Sequence, residues 1–131
     1  MTSRDDIHAF VDQVVNRFHP SRIILFGSHA YGVPTEDSDV DLMVVMSRRG
    51  PGARMATRIR LACPRNFPMD LLVRTDSELK KGAAEKDWFI VEVLEKGIIL
   101  HDCANGSVGA KGRGRLRRRL AAAPIAQTQS L

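Results

Sequence analysis

The 131-residue chain reads as a small α+β (α/β) domain, a mixed sheet of about four strands flanked by helices. Short apolar, β-branched runs at 22–27, 39–46, 69–75 and 98–100 have strand length and are bounded by glycine, proline or serine. Stretches with apolar residues three and four apart lie between them, which is the period of a helix packed on one side. A chain of this length can bury one core and has little left for a second module.

The first element spans about Arg4 to Phe18, where Ile7, Phe10, Val11, Val14, Val15 and Phe18 fall on one stripe. Ser3 is placed to cap it and Pro20 stands just past its end. Arg22-Ile23-Ile24-Leu25-Phe26 then reads as a buried strand, closed by Gly27-Ser28 where a short helix should begin. The strand at 39–46 follows. A helix is expected over about 53–63, with Arg54, Arg58 and Arg60 toward solvent or a partner. After the strand at 69–75, one long helix is expected over about 77–96, with Trp88, Val91, Glu92 and Glu95 at helical spacing and Gly97 ending it before Ile98-Ile99-Leu100. Trp88 and Phe89 read as packing residues within that pattern rather than as a platform for a base.

Chemistry concentrates in two places. A helix start offers unpaired N–H groups and the positive end of a dipole, so the Gly27-Ser28 turn favours an anion such as phosphate. Gly27 lets the backbone come close, and Ser28 could either cap the helix or give its hydroxyl to the phosphate. Ten residues on, Ser38-Asp39-Val40-Asp41-Leu42-Met43-Val44-Val45 sets two carboxylates on one face of a strand and Val40, Leu42 and Val44 on the other. Adjacent like charges repel, and partial burial makes that worse. A divalent cation removes the difficulty, and magnesium is commonly held by one or two carboxylates plus substrate phosphates. With Glu36 and Asp37 just before it, the acidic run taken alone could equally be a solvated loop. The joint occurrence of strand, Gly-Ser turn, fixed gap, Asp-x-Asp and apolar continuation points instead to a catalytic site.

Asp70 is the third candidate. It interrupts the apolar run Met69 to Val73, and a carboxylate buried there would need a cation or hydrogen bonds. Its role is open between metal ligand and general base, with an aspartate on the exposed face of an edge strand as the alternative.

Leu25-Phe26-Gly27-Ser28-His29-Ala30-Tyr31-Gly32 followed by Asp37-Ser38-Asp39-Val40-Asp41-Leu42 resembles the signature of the polymerase-β-type nucleotidyltransferase superfamily in its minimal (MNT) form, over roughly residues 5–102. The resemblance implies that fold, with Gly27, Ser28, Asp39 and Asp41 on a nucleoside triphosphate and Asp39, Asp41 and Asp70 on two magnesium ions. Tyr31 departs from the pattern, standing where many members carry an arginine. The family further implies ATP as donor, attack of an acceptor hydroxyl on the α-phosphorus, and pyrophosphate as leaving group. Free-standing minimal members often accompany a small helical HEPN protein, a toxin that they neutralise by adenylylating a tyrosine. The leading expectation is therefore a protein adenylyltransferase acting as such an antitoxin. The alternatives are a small-molecule enzyme for an aminoglycoside-like hydroxyl, with a homo-oligomer or partner completing the pocket, and a non-catalytic antitoxin that binds without transfer.

Charge divides the chain. All fifteen acidic residues lie at or before Asp102 against fourteen of the twenty lysines and arginines, so residues 1–103 carry a net charge of −1 and form the expected domain. Residues 104–131 hold six basic residues and no acid, a tail expected to be disordered, which could contact RNA or an acidic partner or have no specific role. No run reaches the eighteen or so apolar residues of a membrane span, and the N-terminus has no signal-like apolar core, so a cytoplasmic protein is expected. Cys63 and Cys103 fit a reducing compartment, and the scattered His8, His19, His29 and His101 do not suggest zinc.

Overall fold

The computed structural model describes residues 3–35 and 37–103, so Glu36 and the basic tail expected over 104–131 lie outside the described residues. The elements in chain order are α1 (Arg4–Phe18), β1 (Arg22–Phe26), α2 (Ser28–Tyr31), β2 (Val40–Val45), α3 (Gly52–Ala62), β3 (Met69–Arg74), α4 (Asp76–Ala84), α5 (Trp88–Lys96) and β4 (Ile98–Asp102).

Ser3 caps α1 as its sequence position suggests. Its hydroxyl accepts from the Asp6 amide at 3.1 Å while the Ser3 amide donates to the Asp6 carboxylate at 3.3 Å, so two donors at the helix start are satisfied reciprocally. Ile7, Phe10, Val11 and Val14 are buried, and the left-handed His19 ends the helix just before Pro20.

The four strands form one mixed sheet in the order β3-β2-β1-β4. β1 runs antiparallel to both β2 and β4, whereas β2 and β3 are parallel, joined by a crossover through α3. Alternation along the strands sorts side chains to two faces. Ile23, Leu25, Val40, Leu42, Val44, Leu71 and Val73 pack with α1 and α3, including Phe10, Met55 and Ile59. Ile24, Phe26, Met43 and Val45 meet Leu79 of α4 and Ile90 and Val93 of α5. β2 is central, and five of its six residues are buried; Asp41 is the one that is not.

The final helix is not continuous. Two helices replace the single one expected over about 77–96, because the chain turns through Lys86 at φ 60° and restarts on Asp87, whose carboxylate accepts from the Phe89 and Ile90 amides at 3.0 and 3.3 Å. The two helices approach closely at Gly82, where a Cβ would come within 2.8 Å of the Ile90 side chain. The buried stripe of α5 is Ile90 and Val93, not the expected one. Trp88 is correspondingly 74% exposed and does not pack, while Phe89 does, edge-to-face on Phe26 with ring centroids 5.5 Å apart. Of the α3 arginines, Arg54 and Arg58 are exposed, and Arg60 reaches back to the Met69 carbonyl at 3.0 Å. Among the described residues no helix is long and apolar enough to cross a membrane.

Candidate active site

β1 ends at Phe26, directly opposite Asp41 of β2, and Asp41 in turn stands opposite Asp70 of β3. The antiparallel and parallel pairings therefore bring the end of β1 and the beginnings of β2 and β3 to one end of the sheet. At that end the chain leaves β1 through Gly27, whose φ of 75° and ψ of −158° suit only glycine. A Cβ on Gly27 would run into the Asp41 carboxylate, so backbone and acid lie against one another. The Gly27 carbonyl accepts from the Ala30 and Tyr31 amides, both at 3.0 Å, which folds the single turn of α2. The N-cap is Gly27, without a side-chain cap bond, so Ser28 does not take the capping role open to it. Its hydroxyl is instead available at the turn.

Asp39 precedes β2 in a segment fixed from both sides. Thr35 and Ser38 bond reciprocally, amide to hydroxyl at 2.9 Å and amide to carbonyl at 3.1 Å. His29 of α2 holds the same segment, its Nε2 donating to the Ser38 carbonyl at 3.3 Å.

Asp41 is the electrostatic centre. Burial pushes its carboxyl above the ordinary value, the charges of Asp70 and Asp39 and a hydrogen bond with Asp70 push the same way, and His29 pulls against them. Asp70 itself is exposed on the edge strand, so the cost expected for a carboxylate in an apolar strand falls on Asp41. The structure thus joins Asp41 to Asp70 through their side chains and sets the charge of Asp39 against Asp41. Among the described residues, no group of three or more His, Cys, Asp or Glu is spaced to hold a metal ion. The pair with its neighbouring charge nevertheless suits a hard divalent cation, which takes oxygen ligands and needs only one or two carboxylates from the protein.

Two groups were not singled out for the site by sequence, Glu92 and Lys96, and both meet Tyr31. The Tyr31 hydroxyl donates to Glu92 of α5 at 3.0 Å, and the Lys96 ammonium sits 5.9 Å from the centre of the Tyr31 ring. Burial, opposed by a bond to the Gly27 backbone and aided by Glu92, raises the Tyr31 hydroxyl above its ordinary value. The four-residue spacing of Glu92 and Lys96 was the available signal, since it puts both on one helix face.

A family profile described as "Nucleotidyltransferase domain" matches residues 7–104, three quarters of the chain and all of the elements that build this end of the sheet. The chain belongs to the nucleotidyltransferase domain family. The fold agrees. It is similar to the crystal structure, at 1.40 Å resolution, of a candidate nucleotidyltransferase from Sulfolobus solfataricus, with a TM-score of 0.57 over 80% of this chain and 85% of that one at 20% identity. No curated protein sequence matches the chain. Within this domain Gly27 lies against the Asp41 carboxylate, Asp41 is hydrogen-bonded to Asp70, and the charge of Asp39 acts on Asp41.

Proposed function

We propose that this nucleotidyltransferase moves AMP from ATP to a hydroxyl of a partner protein, and that the partner is a helical HEPN-type toxin for which it serves as antitoxin. The observation that carries the reading is the Asp41–Asp70 pair in register on parallel strands, with Gly27 closed over Asp41. Magnesium, held by Asp39, Asp41 and Asp70, would neutralise charge on the phosphates and polarise the α-phosphoryl group.

The remaining work belongs to the chain. The α2 turn offers its free amides and the Ser28 hydroxyl to the triphosphate, while Gly27 lets the turn lie directly against the Asp41 carboxylate. His29 holds Ser38 and so fixes where Asp39 enters. Asp70, exposed at the sheet edge, takes the proton of the incoming hydroxyl as it attacks the α-phosphorus. Pyrophosphate then leaves toward the turn. A protein acceptor is favoured by exposed apolar side chains on or next to the helices α2 and α5. Trp88, at the start of the helix that packs on Phe26, and Val33, just beyond α2, are 74% and 88% exposed.

The test incubates the purified chain with magnesium, ATP labelled at the α-phosphate, and the product of the adjacent gene, which on this reading is a helical HEPN-type protein. Label should appear on that protein with the wild type and be absent with Asp39→Ala or Asp41→Asn. Transfer to an aminoglycoside but not to protein would replace this reading with the small-molecule one. Neutralisation that persists in Asp41→Asn without label would replace it with simple binding.

A further inference from the structure

Glu92 and Lys96 stand four residues apart on α5 with the acid nearer the N-terminus, the arrangement in which a helix ordinarily forms an ion pair. Here they do not pair. Glu92 takes the Tyr31 hydroxyl at 3.0 Å, and the Lys96 ammonium lies over the Tyr31 ring at 5.9 Å. Ion pairs among the described residues join Arg22 to Asp76 and Arg48 to Glu78, and Lys96 is in neither. A lysine in the last turn of a helix is favoured by the dipole, but that does not require its ammonium to rest on a ring of another element.

The ring belongs to α2, the single turn that begins at Ser28. Tyr31 is three residues on, about 4.5 Å along the axis, within the reach of a flexible lysine stem. Gly97 fixes the same neighbourhood independently. A Cβ there would meet the Leu25 carbonyl at 3.2 Å, so the end of α5 is pressed against β1 two residues before Gly27. The end of the sheet holding Asp39, Asp41 and Asp70 is acidic, and a triphosphate adds several further negative charges that divalent ions only partly offset.

We propose that Lys96 is the cation this chain offers to the triphosphate of its nucleotide, and that Tyr31 keeps it available by occupying Glu92. This rests on the nucleotide-binding reading above. The hold on Lys96 by an exposed ring is weak and is given up readily when phosphate arrives. A direct Lys96–Glu92 pair would instead compete with phosphate for the same ammonium.

Equilibrium binding of magnesium-ATP and of inorganic tripolyphosphate tests it, with a thermal melt to show that each variant is folded. Lys96→Met should weaken both ligands about tenfold, the loss of one charge-assisted contact, and Lys96→Arg should bind like the wild type. Tyr31→Phe keeps a ring but frees Glu92 to capture Lys96, so it should weaken both ligands as well. Tyr31→Phe combined with Glu92→Gln should recover wild-type binding, which a merely structural role for Tyr31 would not allow. Unchanged binding by Lys96→Met overturns the assignment of Lys96 while leaving nucleotide binding intact. Failure of the double variant to recover overturns the role of Tyr31. A wild type that binds neither ligand overturns the nucleotide-binding reading and this one with it.

Discussion

Replacing Gly27 by alanine separates two costs that the structure lets one calculate apart. The backbone there has φ 75° and ψ −158°, a region that costs an ordinary residue on the order of 1–3 kcal/mol. The new Cβ would also strike the Asp41 carboxylate, and relieving such a clash costs about 1–3 kcal/mol more. Gly50→Ala supplies the reference, because Gly50 has φ 76° but nothing within 4 Å of the position of its Cβ. It should bear only the backbone cost, about 1–2 kcal/mol. At roughly 4–8 °C per kcal/mol for a domain of this size, Gly27→Ala should melt more than about 10 °C below the wild type and Gly50→Ala about half as far. The two should differ more in activity than in stability. A displacement of about 1 Å at a reacting centre can cost on the order of 100-fold in rate, so Gly27→Ala should lose nucleotide transfer while Gly50→Ala retains it. Differential scanning calorimetry with a label-transfer assay reads both. Similar melting of the two variants, together with full transfer by Gly27→Ala, would refute the contact between Gly27 and Asp41 on which the site is built.

Asp41→Asn removes the charge that burial, Asp70 and Asp39 all oppose, so in a chelator it should raise stability by roughly 0.5–2 kcal/mol while abolishing transfer; a lower melting temperature would contradict the repulsion. Glu78 gives a pH dependence of known sign. Two bonds from Arg48, both 2.9 Å, and one from the Thr75 amide hold its carboxyl below the ordinary value of 4.5. Its contribution is therefore present above that value and is lost as the pH falls through the lowered one. Because Glu78 is nearly half exposed, Glu78→Gln should cost only about 1 kcal/mol at pH 7, and chemical denaturation should show the gap to the wild type narrowing below about pH 4; a gap that widens toward acid would exclude the ion pair as its source. Trp88→Ala, at an exposed position, should leave stability within about 0.5 kcal/mol yet reduce labelling of the partner protein; unchanged labelling would remove Trp88 from the acceptor surface.

Most of the sheet could be read from the sequence because each strand is a short apolar run ended by a turn residue, and every strand was placed to within one or two residues. The faces of β2 were legible too, since alternation alone assigns Val40, Leu42 and Val44 to one side and Asp41 to the other. α5 was misread for a physical reason. Gly82-Ala83-Ala84-Glu85-Lys86 has no strong breaker, and the helix ends only because Lys86 takes a left-handed conformation and Asp87 caps the next one. An aspartate just before an apolar run was the signal, and reading it as a cap would have moved the buried stripe to Ile90 and Val93. At the site, Gly27, Asp39 and Asp41 were visible through their spacing. The contact of Tyr31 with Glu92 was not, because it joins residues 61 positions apart and depends on where α5 docks.

The placement of Asp41 beside Asp70 shows how a fold can hold an unfavourable pair. Neighbouring strands lie about 4.8 Å apart, and at an effective dielectric near 20 two full charges at that distance repel by about 3–4 kcal/mol. The same register sets Val40 against Met69, Leu42 against Leu71 and Val44 against Val73, all six of them buried. Burial of each such side chain contributes about 1.5–3 kcal/mol, so the apolar pairs together outweigh the repulsion several times over. A slip of one residue would relieve the acids but turn β3 over, exposing Met69, Leu71 and Val73 and driving Asp70 toward Phe10 and Ile59. The register is therefore dictated by the apolar face packed on α1 and α3, and the acids must stay together on the other. Burial, with the charges of Asp70 and Asp39 beside it, accordingly holds the carboxyl of Asp41 above its ordinary value. The strain is thus built into the sheet, at a place where a charge of opposite sign would relieve it.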